Sequence, residues 1–203
     1  HNAYGFELLV HDSRTGEFVS RLAMSGVNAP AFNGSRDFDF VVYSASNDLQ
    51  YGFLPPDFAE PAEIHSIHRT DVEFDSIQHI TGMDYHAGAG LVAVAGNYEE
   101  QGSLVVLDAQ QDTLVTEITM GRLAEVAFAP DGAQLAVGQC VNWDERCHAY
   151  QVTLLDTAGE ELTRLPGSLP GDVNTVQYSP SGQYLAASNE AAIRVWDVDR
   201  QES

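Results

Sequence analysis

Short apolar runs bounded by turn residues recur along the chain. The runs are rich in β-branched and aromatic residues, and Gly, Pro, Asn and Asp separate them, which is typical of strands joined by tight turns. No helix-length window shows the apolar period of an amphipathic helix. We therefore predict an all-β chain of antiparallel meanders with no helix.

A repeated layout links these runs. In each copy an apolar run ends in a turn and a second apolar run follows directly; two copies are close, at residues 126–138 and 176–188, and two are looser, at 83–94 and 31–44. A third run then closes on an aspartate, and these residues are Asp12, Asp108, Asp156 and Asp197. The last three aspartates are 48 and 41 residues apart. This spacing indicates repeats of one supersecondary unit.

The middle runs of the repeat, such as residues 91–94 and 105–107, are apolar at every position. Such runs are typical of strands that are buried on both faces. A fourth run completes most units, at residues 18–22, 64–68, 114–118 and 162–165. We therefore expect small sheets that bury their faces by stacking on one another.

The best-preserved repeat resembles a known family. Residues 179–188, continuing to Trp196 and Asp197, resemble a WD40 repeat, and residues 128–132 with 154–156 are similar to a second, weaker copy. The match covers residues 172–198, is looser over 80–167, and is weak before residue 81. The family's Gly-His pair is absent, since Pro-Gly-Asp stands at 170–172. A bacterial propeller family with looser repeats, such as the YVTN type, is the alternative assignment.

The resemblance implies a β-propeller of four-stranded antiparallel blades, in which Asp108, Asp156, Trp196 and Asp197 anchor the ends of third strands. At roughly 40–45 residues a blade, the chain holds about four to five blades' worth. We predict one domain that is a segment of a larger propeller; a small closed ring and a ring completed by a second chain are the alternatives. The blade units are 1–26 (partial), 27–78, 79–121, 122–168 and 169–203 (partial).

The charge of the chain changes the list of possible partners. Thirty Asp and Glu residues stand against nine basic residues, all of them Arg, for a formal net charge of −21. This charge argues against a nucleic acid or an anionic membrane as partner. The acidity is typical of proteins from saline environments, where screening weakens carboxylate repulsion. The alternative is a docking surface for a basic partner.

The two cysteines, Cys140 and Cys147, lie at the mouth of a predicted hairpin over residues 138–150. If Leu135 pairs with Leu154, the two thiols come almost opposite each other, close enough for a disulfide. A bond would indicate the periplasm or the extracellular space, whereas two reduced thiols would fit the cytoplasm. A zinc site that includes His148 lacks a fourth ligand at a usable spacing.

Other chemical motifs are weak. Residues 88–93 match the dinucleotide pattern G-x-G-x-x-A, but they align with turns and a β-rich run follows. His65 and His68, three residues apart on a strand, point to opposite faces. The sequence therefore nominates no catalytic residue, no metal ligand and no cofactor. The irregular loop around Pro55, Pro56, Asp57 and Phe58 is the candidate partner contact.

Two function classes follow from this pattern. The resemblance implies a noncatalytic scaffold that binds proteins or peptides through its loop faces. The alternative is an extracytoplasmic propeller enzyme or sensor that binds a small molecule, cofactor or cation at the central channel. The WD40-like repeats and the lack of a ligand set favour the scaffold. The partners expected are a protein or peptide and, to complete the ring, more of the same polypeptide or another copy.

Overall fold

The computed structural model describes residues 6–11, 14–24, 32–34, 40–45, 48–53, 63–67, 77, 79–171 and 173–202. The chain divides into two compact units, His1–Val72 and Glu73–Ser203. The candidate loop Pro55, Pro56, Asp57 and Phe58, together with His68, lies outside the described residues.

In the part of the first unit that the structure describes, the strands form two antiparallel sheets. A two-stranded sheet pairs β1 with β2, and a four-stranded sheet has the order β3-β4-β5-β6. The strands are β1 (Phe6–His11), β2 (Phe18–Met24), β3 (Phe32–Gly34), β4 (Phe40–Ala45), β5 (Asp48–Phe53) and β6 (Glu63–Ile67). His65 lies on β6.

The second unit contains three sheets, which we call sheets I, II and III. Sheet I has the order β10-β9-β8-β7, sheet II the order β11-β12-β13-β14 with β15 also paired to β13, and sheet III the order β16-β17-β18. Sheet I comprises β7 (His79–His86), β8 (Leu91–Tyr98), β9 (Gln101–Asp108) and β10 (Thr113–Gly121). Sheet II comprises β11 (Leu123–Phe128), β12 (Gln134–Asp144), β13 (Arg146–Asp156), β14 (Glu161–Arg164) and β15 (Leu169–Pro170). Sheet III comprises β16 (Thr175–Tyr178), β17 (Tyr184–Ser188) and β18 (Ile193–Asp197).

The predicted all-β, antiparallel class is confirmed, since every described element is a strand and every pairing is antiparallel. The glycine-rich residues 88–90 form a turn, and strand β8 follows them in place of the helix that a dinucleotide site needs. Within the described residues, no helix long and apolar enough to cross a membrane exists.

Each sheet of the second unit has two faces, which we call leading and trailing; in sheets I and II the trailing face is the one that packs against the next sheet along the chain. The trailing face of sheet I, with Leu104 and Val106, joins one core with the leading face of sheet II, including Leu135 and Leu155. The trailing face of sheet II, with Val152 and Leu154, joins a second core with the leading face of sheet III, which includes Leu185 and Trp196. The same stacking therefore occurs twice.

The first strands of the three sheets come together. Strand β11 packs against β7 of sheet I on one side and against β16 of sheet III on the other. Each of these strands is an edge strand of its own sheet. The sheets of this unit therefore stack with their first strands toward a common side.

Candidate binding edge

Two of the predicted anchors, Asp108 and Asp156, close the turns that follow third strands. Asp108 Oδ1 accepts hydrogen bonds from the backbone N–H groups of Gln110 and Gln111, both at 2.9 Å. Asp156 Oδ1 accepts from the N–H groups of Ala158 at 3.0 Å and Glu160 at 2.9 Å. A carboxylate satisfies N–H donors that the turn would otherwise leave free, so these residues hold turns rather than bind ligands.

The Trp196–Asp197 pair has the same place in sheet III. Asp197 Oδ1 accepts from the Arg200 N–H at 3.2 Å. Trp196 is only 1% exposed, and its indole Nε1 donates to the Pro166 carbonyl at 2.9 Å. Burial of a large ring with its polar atom satisfied is the arrangement expected of a packing residue.

The hairpin of β12 and β13 is the longest in the second unit. Each of its strands has 11 residues, compared with 5 in β17 and β18 of sheet III. Near its end Cys140 and Cys147 form a disulfide with Cα atoms 5.9 Å apart.

The pairing assumed from the sequence is wrong by one residue, because Leu135 lies opposite Leu155 and not Leu154. Cys140 therefore faces Tyr150 and Cys147 faces Trp143, and shifts in register around Asn142 separate these two pairs. A bulge places an extra residue in one strand and bends it, which brings the two sulfur atoms together.

An arginine connects this hairpin to sheet I. The Arg122 guanidinium carbon lies 4.3 Å from the centre of the Trp143 ring, in a cation–π contact. The same side chain donates through Nη1 to the Glu99 carbonyl in the turn between β8 and β9. A cation–π contact is worth about 0.5–1 kcal/mol at an exposed site, so Arg122 favours one position of the hairpin end.

The end of the hairpin contacts the loop that leads into sheet III. His148 Nε2 lies 2.5 Å from Asp144 Oδ1 on the hairpin itself. The His148 carbonyl accepts from the Gly171 N–H at 3.1 Å, and Asn189 Nδ2 donates to the Pro170 carbonyl. These bonds join the hairpin to the β17–β18 turn.

We call this region the hairpin edge: residues 98–101, 141–148, 166–171 and 189–192. Because the β8–β9, β12–β13 and β17–β18 connections all join second to third strands in stacked sheets, they lie on one side of the stack. Its acidic side chains are exposed, namely Glu99, Glu100, Asp144, Glu145 and Glu190. The basic side chains beside them are the exposed Arg146, the half-buried Arg122 and the half-buried Arg194, whose guanidinium lies over Gly167. The edge is therefore acidic, with Tyr98, Val141 and Trp143 among its apolar elements.

Two carboxylates on first strands were not singled out by the sequence. Glu125 on β11 lies directly over Gly82 of β7, where any side chain would overlap it. Burial raises the pKa of Glu125 to about 7, and the charge of Asp84 adds to the rise, although the Val126 N–H bond opposes it. Asp84 Oδ2 accepts from the Phe128 N–H at 2.7 Å. No local pattern could have revealed this pair, because it forms across two sheets.

Among the described residues, no group of three or more His, Cys, Asp or Glu side chains is placed to hold a metal ion. Cys140 and Cys147 are bonded to each other in the disulfide. They therefore cannot act as thiolate ligands of a zinc ion together with His148.

Comparison with known proteins agrees with this architecture. The family model "WD40: WD domain, G-beta repeat" matches residues 159–197, the span from the turn after β13 to the end of β18. No curated protein matches the sequence. Among solved structures, "Kuenenia stuttgartiensis Hydrazine Synthase" is similar with a TM-score of 0.67 and 17% sequence identity over 89% of this chain. The match spans 49% of that chain, about half its length, and at this identity the likeness shows the fold alone.

Proposed function

We propose that this chain, which carries a WD40 repeat on a β-propeller framework, is a noncatalytic scaffold whose hairpin edge binds a protein or peptide partner. The observation that carries the proposal is the disulfide-closed β12–β13 hairpin, which extends beyond the short hairpin of sheet III. A binding loop held by a rigid framework loses little entropy when it binds. WD40 domains generally bind proteins, which supports this class of function.

The charge of the hairpin edge supports a partner with basic segments. Its exposed carboxylates outnumber its cations, and the whole chain carries a formal charge of −21. Complementary charge speeds encounter and suppresses wrong partners. Trp143 and Val141 supply apolar contact area, and aromatic residues are enriched among those that dominate binding energy.

The same proposal includes the completion of a propeller ring by further β-structure. Sheet III has three strands among the described residues, whereas sheet I has four. Further β-structure, from the same polypeptide or from another copy, would complete it. The similarity to an enzyme shows the fold only, and it therefore adds no catalytic activity to the proposal.

A displayed peptide library tests the hairpin edge directly. We expect the full chain to enrich peptides rich in Lys and Arg. The double variant Glu100→Lys/Glu145→Lys should weaken binding of a selected peptide at least about tenfold, because it replaces attraction by repulsion at two exposed positions. Isothermal titration at low and at physiological salt measures the affinity.

The matched control is Asp131→Lys, an exposed acid in the β11–β12 turn on the opposite side of the sheets. It should leave the affinity within about twofold, since charges separated by more than a Debye length are largely screened. A library that enriches no basic peptide, or a control that weakens binding as much as the hairpin variant, would contradict the proposal.

A further inference from the structure

The end of the β12–β13 hairpin is separated from the rest of sheet II by two breaks in its ladder. Val141 is an extra residue on β12 and His148 is an extra residue on β13, so the register shifts twice. Both extra residues lie between Cys140 and Cys147. A bulge leaves its extra residue unpaired and disrupts the ladder locally. Backbone hydrogen bonds therefore hold residues 142–147 in place less firmly than the remainder of the hairpin.

The disulfide spans both breaks. It joins Cys140, which precedes the first break, to Cys147, which follows the second. It encloses residues 141–146, where every residue except Trp143 is exposed. Exposed segments with few buried contacts open at a lower free energy than the core of a sheet. The disulfide is thus the covalent constraint on a segment that its ladder and its packing hold weakly.

Charge at the hairpin edge opposes the observed position of this segment. Arg122 holds the hairpin end to sheet I through the Trp143 ring, and an exposed cation–π contact is weak. The two turns that Arg122 connects carry exposed carboxylates, namely those of Glu99, Glu100, Asp144 and Glu145. These carboxylates outnumber Arg122 and Arg146, and like charges repel. Repulsion therefore favours separation of the hairpin end from the β8–β9 turn once the disulfide is broken.

We propose that the oxidation state of Cys140 and Cys147 controls the hairpin edge. The bonded pair holds the hairpin end in its binding position, and reduction by a dithiol releases the end and the bound partner with it. This inference rests on the proposed peptide binding, because it describes the regulation of the same site. Release of the hairpin end is a prediction of its own that needs no peptide.

Reduction proceeds by two thiol–disulfide exchanges. A thiolate of the dithiol attacks one cysteine sulfur and forms a mixed disulfide, while the other cysteine sulfur leaves as a thiolate and takes up a proton. The second thiol of the reductant, as its thiolate, then displaces the first sulfur, which also takes up a proton. The dithiol is oxidised to a disulfide and both cysteines become thiols. Cys140 and Cys147 are only 8% and 4% exposed, so attack follows a local opening of the hairpin end.

Hydrogen exchange before and after treatment with dithiothreitol tests the release without any peptide. After reduction, the amides of residues 141–148 should exchange at least about tenfold faster, because their order depends on the bond. The amides of β11 and β16 should keep their rates. Acrylamide quenching of tryptophan fluorescence gives a second readout: Trp143 should become more accessible, whereas Trp196, which is 1% exposed, should stay protected.

The same two states test the control of binding. A cysteine-free peptide rich in Lys and Arg, selected with the oxidised chain, should bind the reduced chain at least about tenfold more weakly, because a disordered site must be ordered again on binding. Reoxidation should restore the affinity. The matched control is Cys140→Ser/Cys147→Ser, which should bind as weakly as the reduced chain and should not respond to dithiothreitol.

The outcomes distinguish this inference from the proposed function. A library that yields no basic peptide contradicts the peptide binding, while the exchange and quenching measurements still test the release. Unchanged exchange at residues 141–148 after full reduction, measured by thiol titration, would overturn the redox control. A disulfide that dithiothreitol reduces only in denaturant would overturn it too.

Two further results would also count against the control of the edge by the disulfide. Faster exchange throughout sheets I, II and III on reduction would show that the bond holds the fold and not the edge. Release of the hairpin end with an unchanged peptide affinity would show that binding does not depend on the position of this segment.

Discussion

The first three strands of sheet II and the three described strands of sheet III have the same order and equivalent residues, yet their surroundings differ. In sheet II both faces are covered, and Leu154 and Leu155, adjacent on β13, are both buried on opposite sides. In sheet III the leading-face Trp196 is buried, whereas its neighbour Val195 is half exposed. A repeat sequence therefore specifies two packing faces, and only an adjacent sheet determines whether each face is used.

The largest expected effect is at the face that sheet III already uses. Trp196→Ala should lower the free energy of unfolding by about 3–5 kcal/mol, because it leaves a large cavity in the core shared with sheet II. It also leaves the Pro166 carbonyl without the indole donor. Denaturant unfolding, followed by circular dichroism, measures the loss.

The conservative variant Trp196→Phe keeps most of the apolar volume and should recover more than half of that loss. A loss below about 1 kcal/mol for Trp196→Ala would mean that the leading face of sheet III does not pack as described.

The second prediction compares Leu154 and Val195, which take equivalent positions on the trailing faces, because Ala136 pairs with Leu154 as Ala186 pairs with Val195. Leu154→Ala should cost about 2–4 kcal/mol, because the leucine is enclosed between sheets II and III. Val195→Ala should cost below about 0.5 kcal/mol, since an exposed side chain loses little contact on truncation. The two unfolding midpoints, measured under the same conditions, give the difference.

Equal costs for the two substitutions would show that the trailing face of sheet III is already covered.

Much of the fold follows from local sequence. The antiparallel strands, the turns at Pro130 and Pro180, and the aspartates that end third strands all depend on short-range patterns that a single segment contains. Two features did not follow from local sequence: the register of the hairpin and the contacts between sheets. The pairing of Leu135 depends on the register of the hairpin, where a shift of one residue leaves the apolar pattern of these continuously apolar strands unchanged.

The contacts that define the candidate site were also beyond sequence reasoning. Arg122 and Trp143 are 21 residues apart and meet because a connection between sheets passes beside a bent hairpin. Glu125 and Asp84 come together because two first strands pack closely at Gly82. Periodicity indicates which face a residue lies on, but it does not indicate which residue of another sheet lies opposite.

The smallest effect on stability is expected on the first strands of the sheets. There sheet II has a titratable residue, Glu125, at the position that Thr175 takes in sheet III. Because burial raises the pKa of Glu125 from 4.5 to about 7, the folded state holds this proton more tightly than the unfolded state. The contribution is therefore fully present below about pH 4.5 and is lost as the pH rises through about 7. Glu125→Gln removes the titration and should make the protein about 1–3 kcal/mol more stable than the wild type near pH 8.

Urea unfolding of both proteins between about pH 4 and pH 8 measures this difference. The two curves should converge at the acid end, where the wild-type carboxyl is protonated and resembles the amide. Glu160→Gln, in the exposed turn after β13, makes the same charge change without burial and is the control for the loss of a carboxylate. A constant difference between Glu125→Gln and the wild type across this range would mean that the Glu125 carboxyl is solvated, and that β11 and β7 do not pack closely over Gly82.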